Sequence, residues 1–136
     1  MKNLWTARRP PIHMIDSEAE ALTDLALSVE ARLPEVSEML IGEIARATTH
    51  KAEHIPADVV TMRATVLFRD EANGVERRVQ LVYPRDADIS AGRISILTPV
   101  GAGLIGLREG QSILWADRAG HERTLTIIGV TQGERA

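Results

Sequence analysis

The chain has 136 residues, enough for one compact domain or for a small domain with an appendage. It contains no cysteine, which excludes disulfides and thiolate metal sites, and its formal net charge of -3 argues against nucleic-acid binding, which requires a basic surface. Only 3% of the residues are aromatic, so the core must consist of aliphatic side chains, and no apolar run approaches the ~20 residues that span a bilayer.

The first 14 residues are predicted to form a flexible tail. Lys2, Arg8 and Arg9 make this segment basic, but no long apolar stretch follows them. A secretory signal peptide requires such a stretch after its basic residues. We therefore expect no signal peptide, no membrane association and a cytoplasmic location.

Residues 15–50 have the apolar period of helices. Apolar side chains recur at alternating steps of four and three up to Leu33, and Ser17 followed by Glu20 is a candidate capping box at the start. Pro34 interrupts the pattern and predicts a second helix, because proline is tolerated in a first helical turn but not in a helix interior. Two helices joined by almost no loop predict an antiparallel hairpin, the alternative being one kinked helix.

From residue 58 onwards the apolar period changes to two, which is typical of half-buried strands. A polar linker is predicted at residues 51–57, before the first strand. Short turns between strands favour an antiparallel sheet, and a hairpin followed by a sheet makes an α+β protein. The predicted strands are residues 60–68, 75–83, 94–96, 111–115 and 122–130, with one short glycine-containing helix at residues 100–107.

Motifs for catalysis or metal binding are absent or weak. His50 and His54 have helical spacing, but the predicted helix ends there and no HExxH pattern exists, which favours a surface pair. Gly101, Gly103 and Gly106 match neither a phosphate-binding loop nor a dinucleotide fingerprint, and favour close packing of a short helix on the sheet. We therefore predict no catalytic residue, no metal site and no cofactor.

Three carboxylates surround the predicted hairpin turn, at Glu30, Glu35 and Glu38. Clustered carboxylates can hold Mg²⁺, and Glu35 and Glu38 can share one helical face. Acidic residues near a helix start also stabilise the helix dipole without any ligand. Both interpretations remain open at this point, and the second is favoured because it requires no ligand.

The second half of the chain resembles the C-terminal domain of the GreA/GreB transcription elongation factor family. Within that family, it is most similar to the branch called regulators of nucleoside diphosphate kinase (Rnk). The order and spacing match a strand, a Thr-Pro pair, a small-residue helix and an acidic-Gly pair. The resemblance is carried by DVVTM at 58–62, LVYP at 81–84 and ISILTPVGAGLIGLREG at 94–110.

The resemblance implies an FKBP-like sheet domain over residues 58–132, preceded by a short antiparallel coiled coil. Family members dock on core RNA polymerase at the rim of its secondary channel, and their helical arm enters the channel. Carried over to this sequence, the docking surface consists of Leu97, Thr98, Pro99 and Val100. Cleavage factors of the family carry acidic residues at the arm tip, which recruit Mg²⁺ to the polymerase active site.

The predicted arm is short, and its tip differs from that of the cleavage factors. Roughly 18 residues at a rise of 1.5 Å give an arm of about 27 Å, whereas the resemblance implies at least twice that residue count for a cleavage factor. The tip residues Arg32, Leu33, Pro34 and Glu35 do not reproduce the acidic pair of the family. Both features favour a protein that occupies the channel rim without promoting transcript cleavage.

Four functions are considered for a protein with these sequence features. The favoured one is a non-enzymatic regulator that binds core RNA polymerase and competes with Gre factors. A cleavage factor using Glu35 and Glu38 and a general protein-interaction domain are the alternatives. A prolyl isomerase is disfavoured, because four aromatic residues are too few to line its pocket. The apolar hairpin also allows weak self-association, and no sequence-specific nucleic-acid binding is expected.

Overall fold

The computed structural model of the chain describes residues 10–116 and 121–133. Within these residues an N-terminal helical hairpin is followed by a mixed β-sheet and a short helix, which confirms the predicted α+β class. The helices are α1 (Asp16–Ser28), α2 (Pro34–Arg46) and α3 (Pro99–Leu104). The strands are β1 (His13–Ile15), β2 (Thr48–His50), β3 (Thr65–Asp70), β4 (Val75–Val82), β5 (Arg93–Ser95), β6 (Ser112–Ala116) and β7 (Glu122–Thr131).

The helices α1 and α2 form an antiparallel hairpin, and the kinked-helix alternative is wrong. The strands β1 and β2, which directly precede α1 and follow α2, pair with each other in parallel, so both outer ends of the hairpin lie together. Leu22, Ala26 and Leu40 are completely buried along the apolar stripes of the two helices. The buried Ser37 hydroxyl donates a 2.8 Å hydrogen bond to the Ala26 carbonyl oxygen and links the helices across their seam.

The first helix differs from its prediction at both ends. It ends at Ser28, and residues 29–33 form a turn in which the Leu33 amide donates to the Val29 carbonyl oxygen at 2.7 Å. The predicted capping box at Ser17 and Glu20 is wrong, because β1 runs directly into the helix and Ile15 occupies the cap position without a side-chain bond. The helix is therefore shorter than the sequence pattern predicts.

The prediction of a flexible tail over residues 1–14 is wrong for its last part, while residues 1–9 lie outside the described chain. Ile12 and Met14 are 1% and 2% exposed. The Ile12 carbonyl accepts from the Thr48 amide, and the His13 amide donates to the Gly106 carbonyl, both at 3.0 Å. This segment is too short to show a periodic pattern, and its burial depends on residues that are distant in the sequence.

The segment predicted as a polar linker, residues 51–57, is packed against the rest of the molecule. It contains a short 3₁₀ turn at Ala52–His54. Ile55 then lies buried in a small apolar cluster with Ile15 and Val59. Ile55 therefore attaches this otherwise largely exposed segment to Ile15 at the start of the hairpin.

The large sheet has five strands in the order β5-β4-β3-β7-β6. The prediction of a purely antiparallel sheet is wrong at one edge, where β5 pairs with β4 in parallel. The remaining pairs, β3 with β4, β3 with β7 and β6 with β7, are antiparallel. The connection between β4 and β5 contains two 3₁₀ turns, Pro84–Asp86 and Ile89–Ala91, and lets the chain re-enter the sheet in the same direction.

The strand predicted from residue 60 joins the sheet only at Thr65. The alternation of buried residues does begin earlier, and Val60, Met62 and Ala64 are at most 1% exposed. However, the Val60 amide donates to the Leu107 carbonyl oxygen at 2.8 Å, so this part of the chain bonds to the segment after α3. A turn at Arg63, which has a φ of 69°, separates the two parts.

The hairpin and the sheet share one hydrophobic core, and α2 also packs against α3. Burial of aliphatic side chains is the main force that stabilises such an arrangement, at about 25 cal/mol per Å² of apolar surface. The hairpin is therefore a layer of the same domain. The fully buried residues of this shared core include Leu22, Ala26, Leu40, Ala64, Val66, Leu81, Ile96, Ala102, Leu104 and Leu107.

Candidate functional site

Residues 97–100 cover the end of the turn between β5 and α3 and the first two residues of α3, Pro99 and Val100. Pro99 is exposed, whereas Leu97, Thr98 and Val100 are half-buried. Leu97 and Val100 pack against the hydrophobic core. Pro99 is the first residue of α3, where the missing amide hydrogen of proline costs no helical hydrogen bond. The structure thus brings the four predicted docking residues together and exposes Pro99 most.

The side chain of Thr98 holds this turn in place. Its hydroxyl oxygen accepts a 3.1 Å hydrogen bond from the Gly101 amide and so caps α3. The same hydroxyl donates a 2.7 Å bond to the Ser95 carbonyl oxygen. The Ser95 hydroxyl in turn accepts from the Leu97 amide at 2.9 Å. Because its hydroxyl is occupied within the chain, Thr98 fixes the shape of the turn, and Pro99 is its exposed residue.

Glycine is required where α3 approaches its neighbours. A Cβ at Gly101 would overlap the carbonyl oxygen of Ser95. Gly106 has a φ of 85°, and a Cβ there would lie 2.9 Å from the Cβ of Ile12. These two positions confirm that the glycines permit close packing. The buried Gly103 lies within α3 itself.

The hairpin tip contains the other predicted site residues. Arg32, Pro34 and Glu35 are exposed, and Leu33 is half-buried. Pro34 is the first residue of α2, the helical position that Pro99 occupies in α3. Since α1 and α2 have 13 residues each, the hairpin is only about 20 Å long.

The tip carboxylates do not converge. Glu30, Glu35 and Glu38 are all exposed. Among the described residues, no three acidic or histidine side chains are arranged to hold a metal ion. Glu35 lies in the first turn of α2, where a negative charge stabilises the helix dipole. The arrangement thus agrees with the dipole interpretation.

A cleft that the sequence did not predict lies where the connection after β4 meets the first helix. It has a polar part of about 480 Å³ and an apolar part of about 380 Å³, and Arg63 and Arg85 line both. We call the two parts together the arginine cleft. The polar part is also lined by Gln80, Val82, Asp86, Ala87, Asp88 and Arg93, and the apolar part by Leu25, Tyr83 and Pro84.

No local sequence signal indicates the arginine cleft. Its arginines are scattered along the chain, and the unusual backbone of Arg63 cannot be read from a pattern of apolar residues. The guanidinium carbon of Arg63 lies 5.9 Å from the centre of the Tyr83 ring. Burial, followed by the negative charge of Glu18, raises the pKa of Tyr83.

The histidine pair suggested by spacing does not form. His54 is exposed in a 3₁₀ turn, whereas His50 lies in β2 beside His13 of β1. The Nδ1 atom of His13 and the Nε2 atom of His50 are 3.0 Å apart. Burial lowers the pKa of His13, with further lowering by His50 and Arg108 and an opposing effect of Asp58.

Arg108 and Asp58 form an ion pair near these histidines. The Nε atom of Arg108 donates to both carboxylate oxygens of Asp58, at 3.0 and 3.2 Å. Two histidines and one carboxylate already bound to arginine do not make a metal site. We therefore interpret the group as a structural cluster at the base of the hairpin.

Across the described residues, no helix has the length and apolar character needed to cross a bilayer.

The sequence of the chain is similar to that of known transcription factors. Residues 55–132 match the family model described as transcription elongation factor, GreA/GreB, C-term. The chain is 41% identical over 109 residues to the regulator of nucleoside diphosphate kinase from Escherichia coli K12, covering 79% of each protein. It is 38% identical over 113 residues to the transcription elongation factor GreA of Azorhizobium caulinodans, covering 77% of this chain and 72% of the relative.

A solved structure has the same fold. It is the prokaryotic transcription elongation factor GreA/GreB from Nitrosomonas europaea, with a TM-score of 0.75 and 40% sequence identity. The match covers 91% of this chain and all of the other one. The hairpin, the sheet and the short helix therefore occur together in a related protein.

Proposed function

We propose that this chain, which belongs to the GreA/GreB family of transcription elongation factors, binds core RNA polymerase at the rim of its secondary channel and competes there with Gre factors. In this proposal it regulates transcription in the cytoplasm and does not promote transcript cleavage. The similarity to regulators of nucleoside diphosphate kinase supports a regulatory role.

The observation that carries the proposal is the short hairpin. Each helix has 13 residues, which corresponds to about 20 Å. Leu25, near the end of α1, lines a cleft together with Tyr83 and Pro84, so the end of α1 lies close to the loop that follows β4. A hairpin held in this way cannot carry carboxylates far beyond the body of the molecule, which favours action by occupying a surface.

The docking surface in this proposal is the turn at residues 97–100. Pro99 is a rigid apolar residue exposed on a turn that Thr98 fixes by two hydrogen bonds. A preorganised contact surface loses little conformational entropy on binding, which favours affinity. Leu97 and Val100 support the turn from the core side.

Two exposed prolines, each the first residue of an α-helix, provide a matched test. Pro99→Glu places a charge on the proposed surface, while Pro34→Glu makes the same change at the first position of α2, at the hairpin tip. Glutamate is tolerated in a first helical turn, so both variants should fold. We expect Pro99→Glu to weaken binding to purified core polymerase by about tenfold or more, because a desolvated charge without a partner is costly, and Pro34→Glu to bind within about twofold of the wild type.

Affinity measured by fluorescence anisotropy with labelled protein distinguishes the outcomes. Absence of a wild-type complex at micromolar concentration would refute polymerase binding. Equal affinities of the wild type and Pro99→Glu would instead refute the placement of the docking surface.

The alternative function is a transcript-cleavage factor of the Gre type. The exposure of Glu30, Glu35 and Glu38 near the tip favours this alternative, because they are free to approach a metal ion. A general protein-interaction domain would not bind core polymerase, and it would not compete with a Gre factor. Competition between this protein and a full-length cleavage factor for core polymerase separates that third function from the other two.

A further inference from the structure

The lining of the arginine cleft carries three arginines and two aspartates, so positive charge is in excess. Neither Arg63 nor Arg85 forms a salt bridge there, although both line the cleft. Arg93 differs, because it lies 3.6 Å from Asp88 and its Nε donates to the Asp86 carbonyl oxygen at 3.1 Å. In a molecule with net charge -3, a cleft whose lining has one more arginine than aspartate, two of the arginines being outside the salt bridges of the described residues, favours a negatively charged ligand.

The backbone of Arg63 points to the same conclusion. Its φ of 69° is left-handed, and no other non-glycine residue in the described chain has a positive φ. The Arg63 amide donates to the Leu81 carbonyl oxygen at 2.7 Å, and its own carbonyl accepts from Gln80 Nε2 at 3.1 Å. Glycine or asparagine would adopt this conformation more easily. Strain of this kind is typical of residues whose side chains are used in binding.

The loop that carries Arg85 is also preorganised. Asp88 accepts hydrogen bonds from the Ser90 amide at 3.1 Å and the Ser90 hydroxyl at 2.6 Å, and Gly92 closes the second 3₁₀ turn with a φ of 74°. Ile89 is held at the surface of this loop with 87% of its area exposed. The loop that carries Arg85 is therefore held in one conformation by its own hydrogen bonds, which limits the entropy lost when a partner binds.

The apolar part of the cleft adds a second requirement for the ligand. Leu25, Tyr83 and Pro84 form its walls next to the two arginines. Such a site accepts an apolar side chain while the arginines bind neighbouring carboxylates. The matching chemistry is therefore an acidic polypeptide segment that carries an apolar residue.

The cleft lies close enough to the proposed docking turn to belong to one interface. Arg93 begins β5, and Pro99 follows the end of the same edge strand. Six residues of fully extended chain span at most about 20 Å, which is well within the dimensions of a protein interface. A single partner surface can therefore contact both.

We propose that the arginine cleft binds an acidic segment of RNA polymerase, with Arg63 and Arg85 pairing with its carboxylates and the pocket of Leu25, Tyr83 and Pro84 holding an apolar side chain. This inference rests on the proposed polymerase binding. It adds a second contact, since none of residues 97–100 lines the cleft.

The test compares the double variant Arg63→Asn/Arg85→Gln with Arg77→Gln, using the full chain and purified core polymerase. Arg77 is an exposed arginine of β4 that does not line the cleft. We expect about tenfold weaker binding for the double variant at low salt and a flatter dependence of affinity on salt concentration, because two charge contacts are lost. Arg77→Gln should stay within about twofold of the wild type.

Thermal unfolding provides the structural control. The double variant should unfold close to or above the wild-type midpoint, because asparagine tolerates the left-handed backbone at position 63 and Arg85 is exposed, and an unchanged midpoint shows that weaker binding does not come from a loss of folding. If the double variant keeps wild-type affinity and salt dependence while Pro99→Glu weakens binding, the cleft is not a contact and the docking proposal stands. Absence of any wild-type complex would overturn both proposals.

Discussion

His13 and His50 illustrate how single residues control the base of the hairpin. The parallel pairing of β1 with β2 places their rings 5.1 Å apart, centre to centre, although they are 37 positions apart in the sequence. A 3.0 Å contact between two ring nitrogens requires one to donate and the other to accept, so at least one ring must be neutral. Nearby Arg108 also disfavours a second positive charge.

This pair predicts how stability changes with pH. Because the pKa of His13 is lowered from 6.5 in the folded chain, the unfolded chain binds more protons as the pH falls below about 6.5, and the free energy of unfolding decreases. His13→Gln should flatten this decrease, because it removes the group whose pKa is lowered by folding. Urea unfolding at pH 7.5 and pH 5.5 measures the effect.

More acidic titrations are distinguishable from that of His13. Hydrogen bonds from Arg69 and from Ser90 lower the pKa of Glu71 and of Asp88 below their usual values of 4.5 and 3.8, respectively. Stability linked to these carboxylates is lost only when the pH falls below those values. An equal decrease between pH 7.5 and pH 5.5 in the wild type and in His13→Gln would contradict the assignment to His13.

At the scale of elements, α3 depends on a single cap. The helix has six residues, too few to be stable alone, and its start is fixed by the Thr98 hydroxyl. Close contact at Gly101 then holds the helix against Ser95. The turn that we propose as the docking surface therefore depends on this cap.

Substitution of the cap should have a measurable cost. Thr98→Ala removes both hydroxyl hydrogen bonds and should lower the free energy of unfolding by about 1 kcal/mol, the usual cost of losing a helix cap. Thr98→Ser keeps the hydroxyl and should lie within about 0.5 kcal/mol of the wild type. Chemical denaturation measures both values, and equal losses in the two variants would show that the hydroxyl does not contribute.

At the scale of the whole molecule, the common core of hairpin and sheet determines how far the tip can reach. The buried residues of α1 and α2 belong to the same cluster as those of the sheet. The strands β1 and β2 join the two ends of the hairpin to each other, and the His13 amide of β1 bonds to the Gly106 carbonyl oxygen. Displacement of the hairpin as a free arm would expose this apolar surface to water, which is unfavourable.

The restricted reach predicts no transcript cleavage. Saturating protein added to stalled elongation complexes should not shorten the RNA, and it should reduce the shortening caused by a full-length cleavage factor. Glu35→Ala and Glu38→Ala should leave both results unchanged, because neither carboxylate reaches the polymerase metal ions in this proposal. RNA shortening that disappears in Glu35→Ala would establish the alternative function. Gel analysis of the labelled RNA measures these outcomes.

The sequence by itself determined the types of the main elements, because apolar period, proline and glycine act over a few neighbouring residues. Pro34 marks the start of α2, and Gly101 marks a close approach that no side chain could occupy. The resemblance of residues 58–132 then identified the family, and with it the candidate turn around Pro99.

Only the tertiary structure decided the features that require distant segments to meet. The parallel pairing of β4 with β5, the contact of His13 with His50 and the cleft between Arg63 and Arg85 each depend on chain segments far apart in sequence. No local period encodes such contacts, since they form when burial of the shared core brings the segments together. The same long-range packing places Arg63 in a backbone conformation that its own residue type disfavours.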